Sequence, residues 1–206
     1  RPENYFPNPA KHISPEKNGN SLLSPISMHI KQGEKIAIIG ESGSGKTTLL
    51  NIIHGEETPT SGQISFAGQN LSRQEITSIS SYILQDSHYF DTLSLEDNIL
   101  LGLDKKEERL TYILKKTGLD HLKNRTLSND SLSGGEKQRL EIARALYHNS
   151  QLILADEIKA NLDSENSRKI SDLLFSLPQT VIEVIHHYTE EDLKHYDQVI
   201  HLSKEK

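Results

Sequence analysis

The chain has no cysteine among its 206 residues. A disulfide framework is therefore excluded, as is any metal site built on thiolates, and the composition fits a reducing compartment. Long apolar runs are missing as well; none approaches the roughly 20 residues that a membrane-crossing helix needs. There is no excess of positive charge either. The formal net charge is −6, which is the wrong sign for a surface that grips a phosphodiester backbone, so nucleic acid is not an expected partner. The N-terminus carries no charged-then-apolar signal segment. It begins at Arg1 rather than Met, which reads as a piece cut from something longer.

What the chain does have is a glycine loop in the right setting. Residues Gly40, Glu41, Ser42, Gly43, Ser44, Gly45, Lys46, Thr47 and Thr48 follow the pattern G-x-x-x-x-G-K-[ST]. Ahead of them, Lys35 to Ile39 is short, apolar and β-branched, and reads as a buried strand. Behind them, Leu49 to Ile53 reads as a helix stopped near Gly55. Strand, glycine loop and helix in that order are the context that gives this motif its meaning. Glycines let successive backbone N–H groups turn toward an anion, and the helix directs its positive end to the same place. Lys46 is expected on the β- and γ-phosphates of a nucleotide, and the Thr47 hydroxyl on Mg²⁺.

A second signal is Leu152-Ile153-Leu154-Ala155-Asp156-Glu157, an apolar strand ending in two carboxylates. Parallel sheets present ligands at the carboxyl ends of their strands. Asp156 is expected to hold Mg²⁺ through water, and Glu157 to orient or deprotonate an attacking water. A third is Leu132-Ser133-Gly134-Gly135-Glu136. Ser133 and Glu136 make a capping box that any helix might use. Two adjacent glycines weaken a helix start, so the backbone there is expected to be approached closely by something. A free helix N-terminus is also a second anion site.

Strand and helix signals alternate along the chain, which predicts an α/β fold with a mostly parallel sheet covered by helices. Residues 1–19, with Pro2, Pro7, Pro9 and Pro15, read as a linker or lead-in. Leu22 to Ile30 and Gln63 to Phe66 read as strands, and Ser81 to Leu84 as another. A helical insertion is expected over about 86–149. Within it, Leu110, Ile113 and Leu114 share one helix face, and Leu140, Ala143 and Leu146 another. Ser164 to Leu177 reads as an amphipathic helix and Val181 to Ile185 as a strand. The pair His186-His187 has no third ligand at i+4 on a predicted helix, so a structural metal is not expected there.

Taken together these residues resemble the nucleotide-binding domain of ATP-binding cassette (ABC) transporters, over about Leu22 to Leu202 and in that family's order. The resemblance implies a P-loop NTPase core, an antiparallel β subdomain and a helical subdomain within residues 20–206. It implies ATP and Mg²⁺ as cofactors and ATP hydrolysis coupled to transport. Gln85 stands where the family has a residue sensing Mg²⁺ and the γ-phosphate. Asn161-Leu162-Asp163 stands where it has a D-loop, and His186 where it has a switch histidine. Lys46, Gln85, Glu157 and His186 are thus the implied catalytic group, with Thr47, Gln85 and Asp156 around the metal. Ser133, Gly134 and Gly135 would cover the ATP of a second cassette, in a homo- or heterodimer closed head to tail.

A transmembrane domain is the other implied partner, which places the chain at the cytoplasmic face of a membrane. Gly33 to Ile38, Gln85-Asp86 with Tyr89-Phe90, and Thr180 to His186 resemble exporters. Leu93 to Ile99 resembles separately encoded cassettes of efflux or import systems. A soluble ABC ATPase acting on ribosomes or DNA is the remaining alternative, disfavoured by the single cassette and the acidic balance. The family's adenine-stacking aromatic has no counterpart at Pro15 or Glu16, leaving Tyr5, Phe6 or His12 as substitutes. The D-loop carries Lys159-Ala160-Asn161 where a small hydroxyl residue is usual in the family.

Overall fold

Alternate residues of one buried strand face two different cores. This is the arrangement in the computed structural model of the chain, which describes residues 16–17, 20–21, 26–66, 68–128 and 132–203. Two short strands, Glu16–Lys17 (β1) and Asn20–Ser21 (β2), pair antiparallel. The main strand is Lys35–Gly40 (β3), and Lys46–His54 (α1) follows the glycine loop. Ser65–Phe66 (β4) and Gln69–Asn70 (β5) make a second antiparallel pair. Next come Arg73–Ile79 (α2), Ser80–Ile83 (β6), Leu95–Leu100 (α3), Glu107–Thr117 (α4) and Gly134–Tyr147 (α5). Leu152–Asp156 (β7), Ser164–Phe175 (α6), Thr180–Val184 (β8), Glu190–Leu193 (α7) and Gln198–Leu202 (β9) complete the order.

The chain divides into two compact units. The first holds the described residues up to Tyr82, then Gln151–Asp156 and those from Pro178 onward. Its sheet has the order β6-β7-β8-β3-β9, with β3 parallel to β8 and β9, and β7 parallel to β8. On one face Ile36 and Ile38 pack with Leu154, Ile182 and Val184 against Leu49, Leu50, Ile52 and Ile53 of α1. On the other face Ala37 and Ile39 pack with Ile185, Leu193, Tyr196 and Val199. The period of two along β3 sorts its side chains between the two clusters, as a strand covered on both sides requires.

The second unit comprises Ile83–Ser150 and Glu157–Leu177. Leu95, Ile99, Leu110, Ile113, Leu114, Leu140, Ala143 and Tyr147 form its core. Gly118 closes α4 in the left-handed conformation, φ 66°, and its cap N–H bonds to Leu114 and Lys115 carbonyls. A buried polar hub sits beside this core. Asn98, fully buried, accepts from Phe90 N at 2.8 Å and donates to Phe90 O at 2.9 Å. Arg144 donates to Asn98 O at 2.7 Å, to Asn98 Oδ1 at 2.9 Å and to His88 O at 2.8 Å.

Several local expectations change. Of the strand expected over Leu22 to Ile30, residues 22–25 lie outside the described residues, and Ile26 to Ile30 holds only an isolated bridge at Ile26. The strand expected over 63–66 shortens to two residues. Helix α2 was not anticipated, although Ser72 and Glu75 form a full capping box ahead of it. Residues 157–177 join the helical unit as well as 83–150. Tyr5, Phe6, His12 and Pro15 lie outside the described residues.

Candidate active site

The loop between β3 and α1 is built from exceptions to ordinary backbone geometry. Gly43 and Gly45 take φ of 75° and 90°, in the left-handed region that costs a side chain dearly. At Gly40 a Cβ would lie 2.3 Å from the carbonyl oxygen of Leu202 on β9. Gly45 is the N-cap of α1 and offers no side-chain cap, and no acidic residue sits in the first turn. The N–H groups of that turn are thus left for an anion. Lys46, only 5% exposed, donates from Nζ to the carbonyls of Gly40 and Glu41, both at 2.9 Å. Glu41, Ser42 and Gly43 are exposed at the rim, Ser44 is buried, and Thr48 is half-buried.

Parallel register carries Asp156 to this loop. Asp156 pairs with Val184 of β8, and Val184 pairs with Ile38 of β3, two residues before Gly40. The Thr47 hydroxyl donates to Asp156 Oδ2 at 2.8 Å. Asp156 Oδ1 and Ser44 Oγ are buried with no hydrogen-bond partner among the described residues. A buried acceptor left unpaired costs on the order of 1–3 kcal/mol. A hydroxyl and a carboxylate with one oxygen to spare are hard oxygen donors of the kind Mg²⁺ takes. The residues present therefore fit that cation. His186, exposed, follows β8 by two residues at the same sheet end and tilts against His187, ring centroids 5.6 Å apart.

The other expected residues fall in the second unit. Glu157, half-buried, has φ 52°, a left-handed conformation that costs a non-glycine residue on the order of 1–3 kcal/mol. Gln85 is exposed, and its backbone carbonyl accepts from the buried Gln138 side chain of α5 at 2.8 Å. Ser133 caps α5, and its capping box with Glu136 is complete. The close approach expected at the two glycines comes from the chain itself. A Cβ on Gly134 would meet Leu162 Cδ2 at 3.1 Å, and one on Gly135 would meet Asn166 Oδ1 at 2.7 Å. Asn166 in turn donates to Asp163, the N-cap of α6, from its backbone at 2.9 Å and its side chain at 2.6 Å.

Sequence reasoning missed Tyr82, Gln138 and Asn166. Gln138 and Asn166 stand on readable helix faces, but nothing in their spacing marks the contacts they make, Gln138 buried and Asn166 half-buried. Tyr82 is one aromatic in a short strand; its hydroxyl reaches Asp156 Oδ2 at 3.2 Å only because β6 and β7 are neighbours in the sheet.

A glycine loop on a parallel sheet, with an uncapped helix start, a tucked lysine and a hydroxyl–carboxylate pair, defines a P-loop nucleotide-binding protein. Residues 23–160 match the family model described as ABC transporter, and the chain belongs to that family. It is an ATP-hydrolysing cassette of a transporter, and cassettes of this family bind ATP, work with a transmembrane component and usually dimerise. It is 39% identical over 184 residues to the ABC transporter ATP-binding protein YxdL of Bacillus subtilis, covering 81% of this chain and 71% of that one. It is 37% identical over 185 residues to the lipoprotein-releasing system ATP-binding protein LolD of Francisella tularensis, covering 82% and 79%.

Among solved structures, cbiO1 of Clostridium perfringens, part of the ABC transporter complex cbiONQ, superposes with a TM-score of 0.83 at 27% identity, covering 96% of this chain and 86% of that one. A bacterial Atm1-family ABC exporter with ATP bound shares the fold, with a TM-score of 0.79 at 23% identity, over 96% of this chain and 38% of that one. Among the described residues no helix is long and apolar enough to cross a membrane.

Proposed function

We propose that this chain powers export by closing on a second cassette around ATP, on the cytoplasmic face of a membrane and against a transmembrane partner. The observation that carries the reading is the hydroxyl–carboxylate pair Thr47–Asp156 beside the Gly45–Lys46 helix start. The helix-start N–H groups and Lys46 bind and orient the triphosphate. Thr47 and Asp156 would hold Mg²⁺, which would supply charge neutralisation to the triphosphate. Glu157 accepts a proton from the attacking water. Gln85 and His186 contact the γ-phosphate end, and Ser133 to Gly135 cover the nucleotide of the facing copy.

The relative named as the ATP-binding protein of a lipoprotein-releasing system favours a second form of this reading, in which the cassette is encoded apart from its membrane subunits. Its cargo would then be one released from the membrane rather than carried through a half-transporter.

Steady-state ATP hydrolysis measured against protein concentration tests the shared-site model. Rate should rise more steeply than in proportion to concentration if two copies must meet. A strictly proportional rise, with full activity at the lowest concentration, would show that one copy suffices.

A further inference from the structure

One group at the cation site has no part in the chemistry above. Tyr82 lies on β6 with its ring in the cluster under α1, and its hydroxyl donates to Asp156 Oδ2 at 3.2 Å. The Thr47 hydroxyl donates to the same oxygen at 2.8 Å. Two donors thus converge on Oδ2, and Oδ1 has none.

The ring is held in turn. His54, in the last turn of α1, meets it edge-on, with centroids 5.5 Å apart and planes at 67°. The Ser80 hydroxyl spends its one proton on Ile76 O at 2.7 Å, so at its 2.8 Å contact with His54 Nδ1 it accepts, and Nδ1 carries the proton. Ser80 of β6 and Ile76 of α2 therefore hold the histidine that flanks one edge of the tyrosine ring.

We propose that Tyr82 is a positioning residue for the divalent cation: by holding Asp156 Oδ2 it fixes the carboxylate's rotation and reserves Oδ1 for the metal. This rests on the Mg²⁺ reading given above. Partners that orient a ligating carboxylate commonly contribute 10–100-fold in metal affinity.

The test is a Mn²⁺ titration, followed by electron paramagnetic resonance of the bound ion, with a saturating non-hydrolysable ATP analogue. Tyr82→Phe keeps the ring against His54 and deletes only the donor. Its Mn²⁺ midpoint should rise about tenfold or more, while analogue affinity in EDTA stays at the wild-type value. That split is one a merely structural role would not produce. A midpoint within about twofold of wild type, in a variant with a wild-type melting curve, overturns the proposal. Should Tyr82→Phe fail to fold, Tyr82→Met fills the slot without a donor and is read the same way. Thr47→Ala separates the two levels of inference. If it weakens Mn²⁺ binding and Tyr82→Phe does not, the tyrosine's role falls and the cation site stands. If neither moves the midpoint, the cation reading fails as well.

Discussion

Asn166 Oδ1 occupies the space into which a side chain at Gly135 would grow, 2.7 Å from the position its Cβ would take. The same Asn166 is tied to Asp163 through its side-chain amide at 2.6 Å. The glycine of the helix start and the carboxylate that caps α6 are thereby mechanically joined within one chain. Gly135→Ala should gain up to about 1 kcal/mol of helix propensity, offset by about 0.5–1.5 kcal/mol as Asn166 gives up its exposed bond to Asp163. We expect a melting temperature close to wild type for Gly135→Ala, and a larger gain when the same substitution is made in Asn166→Ser. A double-mutant cycle measured by thermal unfolding should give a coupling of about 0.5–3 kcal/mol; strict additivity would show that the contact carries nothing.

Glu157→Gln keeps the shape of the side chain and its left-handed backbone but removes the carboxylate proposed as the base. Hydrolysis should fall by about 10²–10⁴-fold while nucleotide binding persists, and gel filtration at saturating Mg-ATP should show a dimer. Turnover within about tenfold of wild type would remove Glu157 from the role of base. Elution only as a monomer would count against closure around shared nucleotide.

The Asn98–Arg144 hub is buried, and truncation strands two partners at once. Asn98→Ala takes the partner from Phe90 N and from one Arg144 nitrogen, while Phe90 O keeps its bond from Leu93 N. We expect a loss of about 2–3 kcal/mol, read as a drop of roughly 5–10 °C in melting temperature for a chain of this size. A change under about 2 °C would mean that water replaces the amide there.

His54 gives the fold an acid edge. Burial lowers its pKa, partly offset by Glu56, whose carboxylate lies 3.9 Å from Nε2. Between the lowered folded value and the unfolded value of about 6.5, the unfolded chain binds more protons, so stability rises with pH in that window. The contribution is whole above about pH 6.5 and lost as pH falls through the folded pKa. Melting temperatures taken from about pH 7.5 down to 5 should fall less steeply for His54→Asn than for wild type. Parallel slopes would assign the acid sensitivity to another group.

Local pattern made much of this molecule readable. The β3–loop–α1 unit, the Ser133–Glu136 cap and the apolar faces of α4 and α5 each follow from residues close in sequence, where turn chemistry and periodicity act directly. Over 26–30 and 63–66 the structure holds less strand than the spacing predicts, because β-branched spacing says nothing about whether a partner strand lies alongside. Helix α2 rests on the Ser72–Glu75 capping box, a signal that apolar periodicity alone does not carry. Tyr82, Gln138 and Asn166 could not be read at all. Each acts on a residue brought near by sheet order or helix packing, and a one-dimensional pattern holds no record of that.

Leu202 lies against Gly40 with no room for a methyl group between them. Strand β9 therefore doubles as the back wall of the phosphate loop. Anyone cutting the protein at β9, or fusing a reporter directly behind it, is working on the nucleotide pocket from a distant part of the sequence.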